Sequence, residues 1–131
     1  MAKADTPATP PISGPLLRRL DRAGVLISGL CLVHCVAGLL LVTLLGLGGG
    51  VLLAPEWHEW GLGLAIAVGA LGLGLGALRH RRLLILAQGL AGLLLMGLAL
   101  GVGHGAREAG LTIAGVLLVG LAHIRNLRHT A

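Results

Sequence analysis

The chain has 131 residues, 56% hydrophobic and only 11% charged, with a formal net charge of +5. A water-soluble globule carries about a quarter of its residues as charged side chains, so this composition and a mean hydropathy of +0.94 exclude an ordinary soluble domain. What remains is one small polytopic membrane protein.

Residues 1–20 read as a disordered cytoplasmic N-terminal tail, with Pro7, Pro10, Pro11 and Pro15 concentrated in it. Residues 21–128 read as one membrane domain with four spans, at about 23–47, 61–78, 83–103 and 109–124. The first run, Ala23–Leu47, follows arginines as a signal peptide core does. It exceeds the usual core of about 7–15 residues and lacks a small-residue cleavage site, so it is read as a retained helix.

Gly48–Trp60 reads as a short outer loop, because Gly48, Gly49, Gly50 and Pro55 break helices while Trp57 and Trp60 favour the interface. The basic turn Arg79-His80-Arg81-Arg82 follows the second span, and His104–Glu108 forms a turn after the third. The last run, Ala109–Ile124, is short for a full crossing, a mismatch that tilt, bilayer thinning or snorkelling arginines would absorb.

The expected fold is therefore all-α, a four-helix transmembrane bundle. Arginine clusters at 18–22, 79–82 and 125–128 fall on one side of it, which by the positive-inside rule makes both termini cytoplasmic. They lie between apolar runs, with no Phe or Tyr for base stacking, so nucleic acid is not an expected partner. The chain holds 23 glycines, and small-residue pairs such as Ala65/Gly69, Gly72/Gly76 and Gly97/Gly101 let helices approach closely. They would pack the four helices or join copies into a homo-oligomer.

The chemistry concentrates in Ser28-Gly29-Leu30-Cys31-Leu32-Val33-His34-Cys35. On a helix Cys31 and Cys35 differ by about 40°, and His34 lies about 60° to the other side of Cys31, so the three share one arc. Ser28, Gly24 and Gly38 extend that face. Counting from Ala23 puts Cys31 about 12 Å and Cys35 about 18 Å into the span, near the midplane. Ionisable groups at that depth mark a binding or transport path.

Residues four apart on a helix have Cβ atoms about 6 Å apart, whereas a disulfide needs about 3.8 Å, so the pair should stay as free thiols. Two thiols that lose two protons to a 2+ ion give an uncharged complex, which removes most of the cost of holding an ion among lipid. That logic favours a two-coordinate soft metal, Hg(II) above all. Cu(I) would leave one negative charge and Zn(II) would want four ligands; they stand as alternatives.

The candidate metal residues are thus Cys31 and Cys35, with His34 as a third donor or proton acceptor. His123, at the cytoplasmic end of the fourth span, is placed to meet an ion leaving the cysteines. His58, between Trp57 and Glu59, can capture an incoming cation. No permanently bound cofactor is expected, the ion being cargo. No paired intramembrane carboxylates or nucleophile–base set appears, so an enzyme is not expected. Two other readings are a membrane thiol redox or stress sensor and a structural accessory subunit docked through glycine stripes.

The pattern Asp21-x-x-Gly24-x-x-x-Ser28-x-x-Cys31-x-x-His34-Cys35 recurs with His58, His80-Arg81 and Ala122-His123-x-x-Asn126 downstream. Together these resemble the MerC-like mercury-resistance family, over about Asp21 to Arg128. The resemblance implies a bacterial inner-membrane protein that takes up mercuric ion and passes it inward, with the first-helix cysteines, here Cys31 and Cys35, carrying the metal. Mercury-operon members typically have a closer first-helix pair and a second Cys pair near the C-terminus. This chain has the wider spacing, His34 inserted, and no further cysteine, so its cytosolic acceptor is undefined.

Overall fold

The computed structural model describes residues 14–46, 54–103 and 105–130, leaving aside the side chains of Pro55, His80 and Thr130. Five α-helical segments follow one another: α1 (Gly14–Leu45), α2 (Pro55–Gly69), α3 (Leu75–His80), α4 (Leu83–Gly101) and α5 (Ala106–Thr130). One π-helical turn, Ala70–Gly74, joins α2 to α3 without a break. Among the described residues there is no strand. Four stretches are long and apolar enough to cross a membrane, Gly14–Leu45, Glu56–Arg79, Leu83–Gly101 and Ala106–His129.

Three boundaries differ from the expectation, each for a local reason. The helix α1 starts at Gly14 and takes in the last residues assigned to the tail, because Pro15 is tolerated in a first turn and Leu16–Leu20 are good helix formers. The first thirteen residues of that tail, the last residue of the expected first span, Leu47, and residues 48–53 of the outer loop lie outside the described residues. Pro55 opens α2 instead of breaking it, with Glu56 in the favourable first turn, so Trp57–Trp60 are helical. Glu108 near the start of α5 and Arg128 and His129 near its end complement the helix dipole, and the fourth span runs well beyond Ile124.

The spans alternate in direction, so one end of the bundle gathers Arg18, Arg19, Arg22, Arg79, Arg81, Arg82, Arg125 and Arg128. Contacts fix this arginine end: Arg82 reaches His129 at 3.1 Å, and Arg125 donates to Gln88 at 2.6 Å. Arg81 turns the chain between α3 and α4 in a left-handed conformation with φ of 53°. Trp57 and Trp60 mark the opposite end.

Burial is inverted relative to a soluble protein. Leu84 is 85% exposed and Leu78 81%, while Asp21, Thr112, His123 and Asn126 are buried. Large apolar side chains facing outward suit hydrocarbon, and the polar ones turn to each other. Helix α5 is the hub, packed along both α1 and α4. Its Val116 and Val119 meet Ala65 and Met96 in one core, with Cys31, Leu32, Leu62 and Leu93 against it. A second core joins Leu73, Ile85 and Ala122.

Helices α4 and α5 touch backbone to backbone where Gly92 faces Gly115: a Cβ at Gly115 would lie 2.6 Å from the Gly92 carbonyl oxygen. Gly72 and Gly76 also face inward, whereas Gly97 and Gly101 have open space around them. Gly115→Ala should therefore cost about 1–3 kcal/mol through overpacking. Gly97→Ala should cost nothing and gain up to about 1 kcal/mol of helix propensity. Unfolding of the two variants in mixed detergent micelles would separate them.

Candidate metal centre

Asp21, Gly24, Ser28, Cys31, Cys35 and Gly38 recur at alternating intervals of three and four, which places them on one stripe of α1. Asp21, Gly24, Cys35 and Gly38 are buried, and Ser28 and Cys31 half-buried. The stripe faces α5 and the second span. A Cβ at Gly120 on α5 would stand 3.2 Å from Ser28 Cβ, so the two helices run close together midway along it.

Both cysteines are free thiols in an unbroken helix. They stand four residues apart on one face of that helix. Cys35 is 4% exposed, and its Sγ lies 3.7 Å from His58 Nε2. The other ring nitrogen, His58 Nδ1, lies 3.7 Å from Glu108 Oε1 on α5. His34 stands edge-on to His58 with ring centroids 6.1 Å apart. Beside them is a cavity of about 200 Å3 lined by Cys35, Leu39, Val42, Thr43, His58, Glu108 and neighbouring α5 residues.

This corrects the depth expected from counting. His58 and Glu108 lie in the first turns of α2 and α5, so Cys35 sits toward the tryptophan end and not at the middle of the bundle. The count began at Ala23, while α1 begins nine residues earlier. His58 likewise belongs to a helix and packs inside, where the sequence placed it in an outer loop. Glu108 escaped the sequence reading. Its signal was faint, one carboxylate opening the last span at the end where His58 opens the second.

His123 is not beside the cysteines. Its Nδ1 contacts Asp21 Oδ1 at 2.8 Å, and Asn126 Nδ2 donates to Asp21 Oδ2 at 2.7 Å and reaches the Gly72 carbonyl at 3.4 Å. Gly24 leaves room for the imidazole, Gly72 for Asp21 and His123, and Gly76 for Asn126. The π-turn is what brings Gly72 there. Between this cluster and Cys31 run two small voids of about 10 Å3 each, one lined by Gly24, Ser28 and His123, the next by Ser28 and Cys31.

Among the described residues no three His, Cys, Asp or Glu side chains converge to enclose a metal ion. The cysteines offer a pair. That suits a two-coordinate ion, whose ligands stand on opposite sides of it, as the i, i+4 separation allows. His34 Nε2 and His58 Nδ1 are buried without hydrogen-bond partners, so both are free to donate to an ion nearby. The His80 side chain and all of His104 lie outside the described residues.

Removing one member of the Asp21 cluster strands the others. His123→Ala should destabilise the bundle by about 1–3 kcal/mol, the cost of an unpaired buried polar group. Gly24→Ala should do similar harm by pushing a methyl into the imidazole. Thermal loss of helical signal in micelles would read both.

The chain has a counterpart among known families. Residues 21–128 match the family model described as MerC mercury resistance protein. No curated protein and no solved structure matches the chain. The match covers most of the sequence and all four long apolar helices, so this multi-pass membrane protein belongs to the MerC mercury-resistance family.

Proposed function

We propose that the protein binds a soft heavy-metal ion, mercuric ion first, between Cys31 and Cys35 and carries it across the bacterial inner membrane, with both termini cytoplasmic. The observation that carries this reading is the pair of free thiols four residues apart on the packed face of α1, the more buried Cys35 opening onto the cavity at the tryptophan end. Family membership supplies mercury; the thiols supply the chemistry.

An ion entering the cavity meets Cys35 first. Each sulfur loses a proton as it binds, so the dithiolate adduct is neutral and the apolar walls of Leu39 and Val42 are no obstacle to it. His34, with an uncommitted Nε2, takes up a released proton or gives a third bond. Onward movement follows the α1 stripe past Ser28 toward the arginine end. The voids there are about the size of one water each, too small for a hydrated ion, so for such an ion to pass α1 and α5 must part beside Ser28 and Gly120.

Wild-type protein in micelles should hold one Hg(II) per chain against a competing monothiol, and Cys31→Ser with Cys35→Ser should hold none. Loss of an outer-shell partner alone weakens metal sites about 10–100-fold, so either single change should exceed that. Uptake of Hg(II) into vesicles should fall in parallel. Undiminished binding and uptake in the double variant would end this reading.

A further inference from the structure

We propose that His58 and Glu108 form a second, thiol-free cation site at the tryptophan end, which holds a hydrated divalent metal ion by one imidazole nitrogen and one carboxylate oxygen before the ion reaches Cys35. The onward step rests on the reading of Cys31 and Cys35 as thiolate ligands; the site itself does not.

The two groups are spaced as ligands of one ion would be. His58 Nδ1 is buried and has no hydrogen-bond partner. Its nearest charged neighbour, Glu108 Oε1, is 3.7 Å away, too far for a hydrogen bond. Two donors each about 2.1 Å from a tetrahedral metal ion are themselves about 3.4 Å apart, so the observed gap fits an ion between them after a shift of a few tenths of an ångström. Helices α2 and α5 hold the two groups from opposite sides, which fixes the spacing.

The surroundings favour a cation. His58 and Glu108 side chains are each 12% exposed, so the carboxylate is poorly solvated and lacks a compensating charge from Arg107, which faces outward. The adjoining cavity has room for the water ligands that two protein donors leave unfilled. Glu56 and Glu59, exposed on the same end of α2, add negative potential at the mouth. The opposite ring nitrogen, Nε2, is against Cys35 Sγ, which leaves Nδ1 to face Glu108.

The order of ligands gives the site a direction. Imidazole and carboxylate bind borderline ions and exchange them, whereas thiolates hold soft ions far more tightly. Cys35 lines the same cavity as His58 and Glu108. A mercuric ion caught at the mouth therefore moves downhill to sulfur without leaving the cavity, shedding water as it does so. No redox change is involved, and the ion stays divalent throughout.

The test uses the full chain with Cys31→Ser and Cys35→Ser, in micelles, titrated with Zn(II) and with Co(II), whose visible bands report nitrogen and oxygen ligands. One ion per chain should bind, and adding His58→Gln or Glu108→Gln should weaken it about tenfold or more. Absence of binding at millimolar Zn(II), or binding undiminished by either added change, overturns the proposal. Should a variant fail to fold, nitrogen NMR of labelled histidines in the thiol-free protein decides: a Zn(II)-induced shift of His58 Nδ1 supports the site, and an unmoved His58 overturns it. Hg(II) held by wild type through its cysteines is read separately, so a thiol-free protein that binds Zn(II) beside a wild type that holds no Hg(II) keeps the site and removes the thiolate reading alone.

Discussion

A polar group among hydrocarbon finds no partner in the solvent, so the bundle has to supply every one. In this chain that constraint decides which faces of the helices turn inward. Asp21 has its two carboxylate oxygens met by His123 and Asn126 from α5, and the carbonyl of Gly72 completes the cluster. Such an arrangement needs helices closer than ordinary side chains permit. Glycine at 24, 72 and 76 makes the space, and the π-turn at Ala70–Gly74 aims the second span at it. Apolar packing then follows, because α1 can lie flat along α5 only once its first turns are docked.

The same requirement explains the two ends of the α1 stripe. At the arginine end no buried side-chain nitrogen or oxygen among the described residues lacks a partner. At the tryptophan end partners are missing: two imidazole nitrogens are buried without hydrogen bonds beside a thiol and a carboxylate. Buried polar groups are normally satisfied, so a cluster that is not calls for an occupant. Cys35 of the proposed soft site and the His58–Glu108 pair of the proposed harder one line a single cavity there.

Much of this was legible in the residues. Four apolar runs separated by arginine clusters and turn residues dictated four spans, since only helices of that length satisfy their own backbone in lipid. The shared face of Cys31 and Cys35 followed from helical periodicity alone. Three things did not follow. Pro55 has the same composition whether it ends a loop or begins a helix, so the position of His58 was misjudged. Glu108 carries no signal of its own, because its partner lies fifty residues away on another helix. The role of Asp21 with His123 and Asn126 was visible only as a spacing, since a network between helices α1 and α5 depends on which faces meet, and periodicity does not specify that.

The proposed path turns on how those two ends differ energetically. The voids between Cys31 and His123 are about the size of one water each, so on the proposed path a hydrated ion would be stopped there by packed helices. Parting α1 from α5 breaks the contacts of Asp21 with His123 and Asn126. Water entering the gap would replace those hydrogen bonds, whereas it could not replace lost apolar packing. A polar closure of this kind therefore opens at lower cost than a leucine-filled one of equal area, yet closes in one register because its bonds are directional. On the proposed path, placing polar partners at the arginine end and leaving two imidazole nitrogens unpaired at the other would separate the task of holding the bundle shut from the task of holding the ion.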